Sequence, residues 1–332
     1  MLDLIIVGAS AAGCSASIYA VRRKLNFKII TDNIGGEVAL SGVVNNWPGI
    51  IEIQGFELAQ KFAEHIKSYG VKIEEGWRIE NIHPVKLPEG QPPKAVFNGG
   101  APEKNYFVIT AKNANGETKT EQTKTVIIAS GIHPRRLEIP GEKEFDRKGV
   151  TYCTVCDGPL FKNKITATVG AGNAALESTL MMAHIAKKVY LISKFPNASD
   201  NNGGFPKGEN ILSDKVKTLP NVEIIYNAKT TEIIGEKKVT GLKYLDADGK
   251  EQTLKLDGVM VHAGMTPNSQ FIDFIEKDKL GQIVINQKCQ TSAPGIFAAG
   301  DVTNVPYKQI GIAVGQGITA ALATIEYINR WK

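Results

Sequence analysis

The segment LDLIIVGASAAGCSASIYAVRR, residues 2–23, decides the fold class. Leu2–Val7 is a continuous apolar run of strand length, the pattern of a strand buried on both faces of a parallel sheet. It runs directly into Gly8-Ala-Ser-Ala-Ala-Gly13, and Cys14–Arg23 then carries a helical pattern. Strand, glycine-rich turn and helix form the setting that a dinucleotide-binding fingerprint requires. Gly8 makes the turn, and Gly13 lets helix and strand approach closely. Ser10 stands where a middle glycine is usual. Asn26–Thr31 reads as the second strand. Asp32 is a late-placed candidate for the carboxylate that holds a ribose.

The pattern recurs. Lys164–Val169 is an apolar strand ending in Gly170-Ala-Gly-Asn-Ala-Ala175, which opens a helix through Met182. The two fingerprints start 162 residues apart, 170 minus 8. Two such units imply two dinucleotides, hence a flavin enzyme that also takes a nicotinamide. The expected fold is α/β, with two Rossmann-like dinucleotide-binding domains. A chain of 332 residues has room for both at roughly 150 residues each.

Composition removes other classes. The net charge is +5, and no run of five or more like charges occurs, so nucleic acid is not an expected partner. No run of about 18 apolar residues is present, so no membrane span is expected. The chain enters its first strand at once, with no basic and apolar leader, which fits a cytoplasmic location.

Thr151–Phe161, TYCTVCDGPLF, carries the chemistry. Cys153 and Cys156 have a Cys-x-x-Cys spacing and can close a disulfide across one turn; Asp157 follows directly. If a helix starts there, its N-terminus favours a thiolate. Half of a zinc site is the competing reading. A closed zinc site needs four ligands, and neither Cys14, Cys289 nor the five histidines supply a second pair, so no metal is expected.

Other stretches are less specific. Ile34–Gly42 and Asn45–Gly49 read either as polar loops or as a cradle for a cofactor. Phe56–Tyr69 has helical spacing. Residues 84–105 are a Pro- and Gly-rich connection, followed by strands Tyr106–Ala111 and Thr118–Ile128. Ser193-Lys194-Phe195 ends a strand where a ribose acid or a 2′-phosphate base is expected, and holds only Lys194. Pro196–Glu209 reads as a mobile loop, and Asn221–Ile234 as one strand. Asp257–Ala263 is a strand entering Gly264-Met-Thr-Pro-Asn268. A further strand, Ile296–Ala299, ends at Gly300-Asp301, where a carboxylate can accept a hydrogen bond from a ribityl hydroxyl; helix Ile310–Ile325 follows.

In order, GASAAG, GGEVALSGVVNNWPG, IIASG, CTVCDG, GAGNAALE, GMTPN and GIFAAGDVTNVPYKQI resemble the low-molecular-weight thioredoxin reductases over nearly the whole chain. The C-terminal part and CDGPLFKNK also resemble the flavoprotein subunit of alkyl hydroperoxide reductase, which carries an extra N-terminal thioredoxin-like module. The resemblance implies FAD held by Gly8, Ser10, Ala12, Gly13, Gly35, Gly36, Glu37 and Asn46, with Ala129, Gly131, Gly300, Asp301, Lys308, Gln309 and Ile310. It implies a nicotinamide nucleotide, NADPH before NADH, on Gly170, Gly172, Asn173, Ala174, Glu177, Lys194 and Gly264. It places the FAD domain at 1–125 and 253–332 and inserts the NAD(P)H domain at 126–252, with hinges near 124–127 and 250–256. It implies that Cys156 faces the flavin, Cys153 attacks the partner disulfide and Asp157 carries the proton. The implied activity is thioredoxin reduction by a homodimer. The alternatives are a glutaredoxin-like or peroxiredoxin-linked carrier, a ferredoxin-driven or NADH-driven enzyme, and a flavin redox sensor.

Overall fold

The computed structural model describes residues 1–41, 43–85 and 106–331, without the side chains of Val43 and Cys156. The chain divides into two compact units, Met1–His133 with Thr266–Lys332, and Pro134–Met265. It crosses between them after His133 and before Thr266. The expected boundaries at 125/126 and 252/253 are therefore displaced. Both fall inside strands, as do the expected hinge stretches in large part.

The first segment forms β1 (Leu2–Ala9), α1 (Ala11–Arg22), β2 (Phe27–Ile34), α2 (Gly36–Leu40), β3 (Val43–Val44), β4 (Ile53–Gln54), α3 (Gly55–Ser68), β5 (Ile73–Glu75), β6 (Trp77–Val85), β7 (Tyr106–Asn113), β8 (Thr118–Ile128) and β9 (Ile132–Pro134). The inserted unit adds β10 (Val150–Thr151), α4 (Thr154–Asp157), β11 (Ile165–Val169), α5 (Asn173–Ala183), β12 (Lys188–Ile192), α6 (Asn210–Lys217), β13 (Val222–Ile225), β14 (Lys229–Gly235), β15 (Val239–Leu245), β16 (Glu251–Lys255) and β17 (Gly258–Val261), and the chain leaves it within β18 (Met265–Pro267). The returning segment contributes β19 (Ile296–Ala298) and α7 (Ile310–Asn329).

In the first unit the strands order β5-β2-β1-β8-β7-β6, with β19 beside β8. β1 lies parallel to both β2 and β8. Its apolar run divides by the two-residue period of a strand. Leu4 and Ile6 join one core, with residues of α1, α3 and α7. Ile5 and Val7 join the opposite core, with Ile82, Phe107 and Ile109. A strand buried on both faces needs no polar alternation, which is why Leu2–Val7 has little.

By length and composition alone, α7 is long and apolar enough to cross a membrane. Here Ala313, Ala320 and Ala321 are buried in the core shared with α1. A Cβ on Gly317 meets the Ala12 carbonyl oxygen at 2.1 Å, so the two helices touch backbone to backbone.

The inserted unit has a parallel sheet, β10-β17-β11-β12-β13, and an antiparallel sheet, β14-β15-β16. The expected single strand 221–234 is two, in different sheets, separated where Asn227 takes φ 51°. Residues 196–209 are anchored, not the mobile loop expected. Phe205 is fully buried against Ala175, Leu176, Leu191 and Val216, a burial that stabilises by about 1.5–3 kcal/mol. Of the 84–105 connection, Pro84 and Val85 end β6, and 86–105 lie outside the described residues.

Candidate functional site

The first unit contains a cavity of about 800 Å³ at the ends of β1 and β2. Gly8, Ser10, Ala12, Gly36, Glu37 and Asn46 line it from the N-terminal segment. Ala129, Gly131, Gly300, Asp301, Lys308, Gln309 and Ile310 line it from later in the chain. The turn after β1 brings these together. Gly8 has φ 105°, and a Cβ there meets the Ala129 carbonyl oxygen at 2.3 Å. Gly13 and Gly35 do not line the cavity. A Cβ on Gly13 meets the Gly8 carbonyl oxygen at 1.9 Å, and one on Gly35 meets the Ala59 and Ala39 methyls at 2.7 and 2.8 Å. Both glycines shape the wall from behind.

Two features test whether a dinucleotide fits. Ser10 precedes α1 without capping it; its Oγ donates instead to the Gly35 carbonyl at 2.6 Å. The first N–H groups of α1 are thus left to an anion, as a pyrophosphate needs. Second, no described group donates a hydrogen bond to the half-buried carboxylate of Asp301, although it lines the cavity. A ligand hydroxyl answers that need. A dinucleotide therefore fits these residues. The motifs do not point to Arg78 and Glu80 on β6, nor to His133 and Gln270, all of which also line the cavity, as does Asn268 at the end of the GMTPN stretch. Arg78 and Glu80 share a strand face by period two, but only the folded chain shows that β6 reaches the cavity.

Burial raises the pKa of Asp301, with nearby Lys308 opposing. Burial, and then the charge of Asp301, raise that of Glu37. Between the ordinary carboxylate range and the raised values, each carboxyl holds a proton in the folded state that the unfolded chain has released. Stability of the FAD-free protein is therefore expected to fall as pH rises from the ordinary carboxylate range, about pH 4, through the raised values, and to return on acidification. Glu37→Gln should flatten that slope in a series of Tm measurements. A slope unchanged in Glu37→Gln and Asp301→Asn would show that other groups control it.

In the inserted unit Cys153 is half-buried and disulfide-bonded, while Cys14 and Cys289 are free and buried. The Cys156 side chain lies outside the described residues. Cys153 immediately precedes α4, and its N–H donates to Thr151 Oγ1 at 3.1 Å. Thr151 Oγ1 also donates to Asp157 Oδ2, fixing that carboxylate beside the turn. α4 is a single turn continued by a 3-10 turn, Gly158–Phe161. A helix does start directly after Cys153, as the sequence reading allowed, but it is one turn long.

The second glycine turn precedes α5. Gly170 has φ 155°, and a Cβ there meets the His262 carbonyl oxygen at 2.4 Å. Gly172 leaves the N-terminus of α5 without a side-chain cap, so Asn173 and Ala174 begin the helix open to an anion. A nucleotide pyrophosphate fits this terminus. Asn173 also accepts from Glu209 N at 2.8 Å and donates to Glu209 Oε1 at 2.8 Å. Gly172 pairs with Lys207 through an isolated backbone bridge, so Lys207, which no motif marks, stands beside the turn. Lys194 is exposed, its Nζ 5.3 Å from the Phe195 ring centroid. Ser193 is fully buried and donates to the Gly204 carbonyl at 2.6 Å, so it cannot read a ribose. Glu177 and Gly264 are exposed. Among the described residues, no group of three or more His, Cys, Asp or Glu is placed to hold a metal ion.

Residues 2–317 match the family described as pyridine nucleotide-disulphide oxidoreductase. The F component of alkyl hydroperoxide reductase from Staphylococcus aureus is 39% identical over 330 residues, 99% of this chain and 59% of its own length. The chain thus spans about three-fifths of the curated relatives it matches. The solved thioredoxin reductase of T. acidophilum is 35% identical, covering 98% of each chain at a TM-score of 0.74. That of Lactococcus lactis is 26% identical, covering 99% of each at 0.77. The resemblance read from the motifs, and the α/β fold with Rossmann-like sheets, agree with these findings.

Proposed function

We propose, from the premise that this chain belongs to the pyridine nucleotide-disulphide oxidoreductase family, that it passes electrons from NADPH through FAD and the Cys153 disulfide to thioredoxin or a thioredoxin-like protein. As a member it is a flavin-dependent disulfide oxidoreductase, and the family uses a flavin and a nicotinamide nucleotide. The observation that carries the finer reading is the Cys153 disulfide in the same unit as the uncapped α5 terminus. When bound, FAD supplies two-electron transfer between a nicotinamide and a disulfide.

The chain's own residues do the rest. α1 holds the pyrophosphate of FAD, and Asp301 accepts a hydroxyl. The α5 terminus holds the pyrophosphate of the nicotinamide nucleotide, and Lys194 and Lys207 supply positive charge for a 2′-phosphate. Cys156 is the partner of Cys153. Cys153 forms the mixed disulfide with the acceptor. Asp157 takes up and returns the proton of the leaving thiol. A cytoplasmic homodimer belongs to the same proposal.

Anaerobic titration of the FAD-loaded protein with NADPH and with NADH tests the donor. Flavin bleaching by NADPH is expected, with Lys194→Ala raising its KM about tenfold, the lower range for a charged hydrogen bond, and leaving that for NADH unchanged. Bleaching by neither nucleotide would remove the donor from the proposal. Turnover with thioredoxins tests the acceptor. The 39% identity to the F component of alkyl hydroperoxide reductase supports a second reading, a thioredoxin-like carrier serving a peroxidase. Turnover with such a carrier and none with thioredoxin would decide for it.

A further inference from the structure

His262 follows β17, and its side chain reaches the turn that carries the disulfide. Its Nε2 lies 2.9 Å from Thr154 Oγ1, and Thr154 Oγ1 lies 2.6 Å from Ser178 Oγ. Thr154 is the residue after Cys153 and opens α4; Ser178 lies on α5. Thr154 and Ser178 are each 4% exposed, so water does not compete for these bonds. The backbone of His262 stands against the glycine turn: its N–H donates to Val169 O at 2.8 Å, and its carbonyl limits Gly170. One residue thus touches the nucleotide turn with its backbone and the disulfide turn with its ring.

We propose that His262 is a positioning residue for the dithiol, acting through Thr154 to hold the Cys153 turn in the conformation that favours disulfide closure. The reason lies in the length of α4. A helix of four residues, Thr154–Asp157, is too short to hold its own geometry. Its anchors are side-chain bonds: Thr151 to Asp157 at one end, and Thr154 to Ser178 and His262 at the other. In the reduced state these anchors keep the two thiols close, and so keep their effective concentration high. The chain of bonds works with either neutral tautomer, since the hydroxyls of Thr154 and Ser178 can each reverse. Burial pushes the His262 pKa down to about 4, so the ring stays neutral near pH 7.

The balanced step is exchange with glutathione: the protein disulfide plus two glutathione thiols gives the protein dithiol plus one glutathione disulfide. The proposal rests on the reading of Cys153 as redox-active. The holoprotein is equilibrated in glutathione buffers and its thiols are counted by alkylation. In His262→Leu and Thr154→Val the constant for disulfide formation is expected to fall about tenfold, a potential about 30 mV more positive. His262→Gln, which retains a polar atom near the Nε2 position, should stay within about twofold, as such a bond has modest net worth. FAD content and far-UV circular dichroism report folding. Should His262→Leu not fold, the isosteric Thr154→Val breaks the same bond from the other side. Folded variants with the wild-type constant overturn the proposal, and so does a His262→Gln shift equal to that of His262→Leu. A wild-type disulfide that exchanges with no thiol overturns the redox reading itself, a result separable from the first two.

Discussion

Cys153→Ser is expected to lose disulfide-reductase turnover by a factor on the order of 10³ or more, the scale of removing an essential nucleophile. Serine can form neither the disulfide that Cys153 makes nor a mixed disulfide with an acceptor. The same change should leave donor-driven flavin bleaching intact, because the cavity for FAD lies wholly in residues of the other unit. That split separates the two halves of the proposed reaction. Cys289→Ser is the matched control. Its thiol is buried, which pushes its pKa up to about 11, and its Sγ donates to the Gln316 carbonyl at 3.5 Å. A hydroxyl can make that bond too, and turnover should change by less than about twofold, as for a substitution that keeps a hydrogen bond. Cys153→Ser with more than a tenth of wild-type turnover would require another group to accept the electrons.

What the sequence made legible follows the range of the interactions concerned. The two glycine turns are local: strand, turn and helix are contiguous, and each appears within three residues of its expected place. The dithiol is likewise a three-residue relation. The boundaries were misplaced because they depend on sheet pairing. The strand Thr118–Ile128 is itself legible, but that its Thr125 and Val126 pair with Leu4 and Ile5, more than a hundred residues away, and so hold the segment in the first sheet, is not. The order of residues 196–209 rests on Phe205, an aromatic among turn-forming residues whose neighbours come from α5, β12 and α6. Composition describes the loop and not its anchor. His262 was also illegible. A lone histidine at a strand end carries no signal until the topology sets it opposite Thr154.

The middle and third positions of the first fingerprint predict opposite tolerances. Ser10 replaces a glycine, yet its side chain ties the turn after β1 to the Gly35 loop, so Ser10→Gly should cost about 1 kcal/mol, the net worth of one hydrogen bond. Gly13→Ala is a different case. Its Cβ falls 1.9 Å from the Gly8 oxygen and 2.8 Å from the Gly8 carbonyl carbon, both backbone atoms that no rotamer change can clear. Relief must come from moving α1 away from β1 or Gly8 out of its turn. Gly8 cannot yield outward, because its own Cα faces the Ala129 carbonyl, 2.3 Å from where a Cβ would stand. Overpacking of this kind costs about 1–3 kcal/mol or more, and the displacement falls on the residues that line the FAD cavity. Gly13→Ala should therefore weaken FAD binding by about 30-fold or more, at 1.4 kcal/mol per tenfold, and lower Tm, whereas Ser10→Gly should weaken it only several-fold. The second fingerprint carries Ala175 at the corresponding place, fully buried, so a methyl is not excluded by the motif as such. It is excluded at Gly13 by the approach of the Gly8 carbonyl. FAD content and Tm of purified Gly13→Ala equal to wild type would show that α1 can shift at no cost, and that the closeness of the turn is not what holds the flavin.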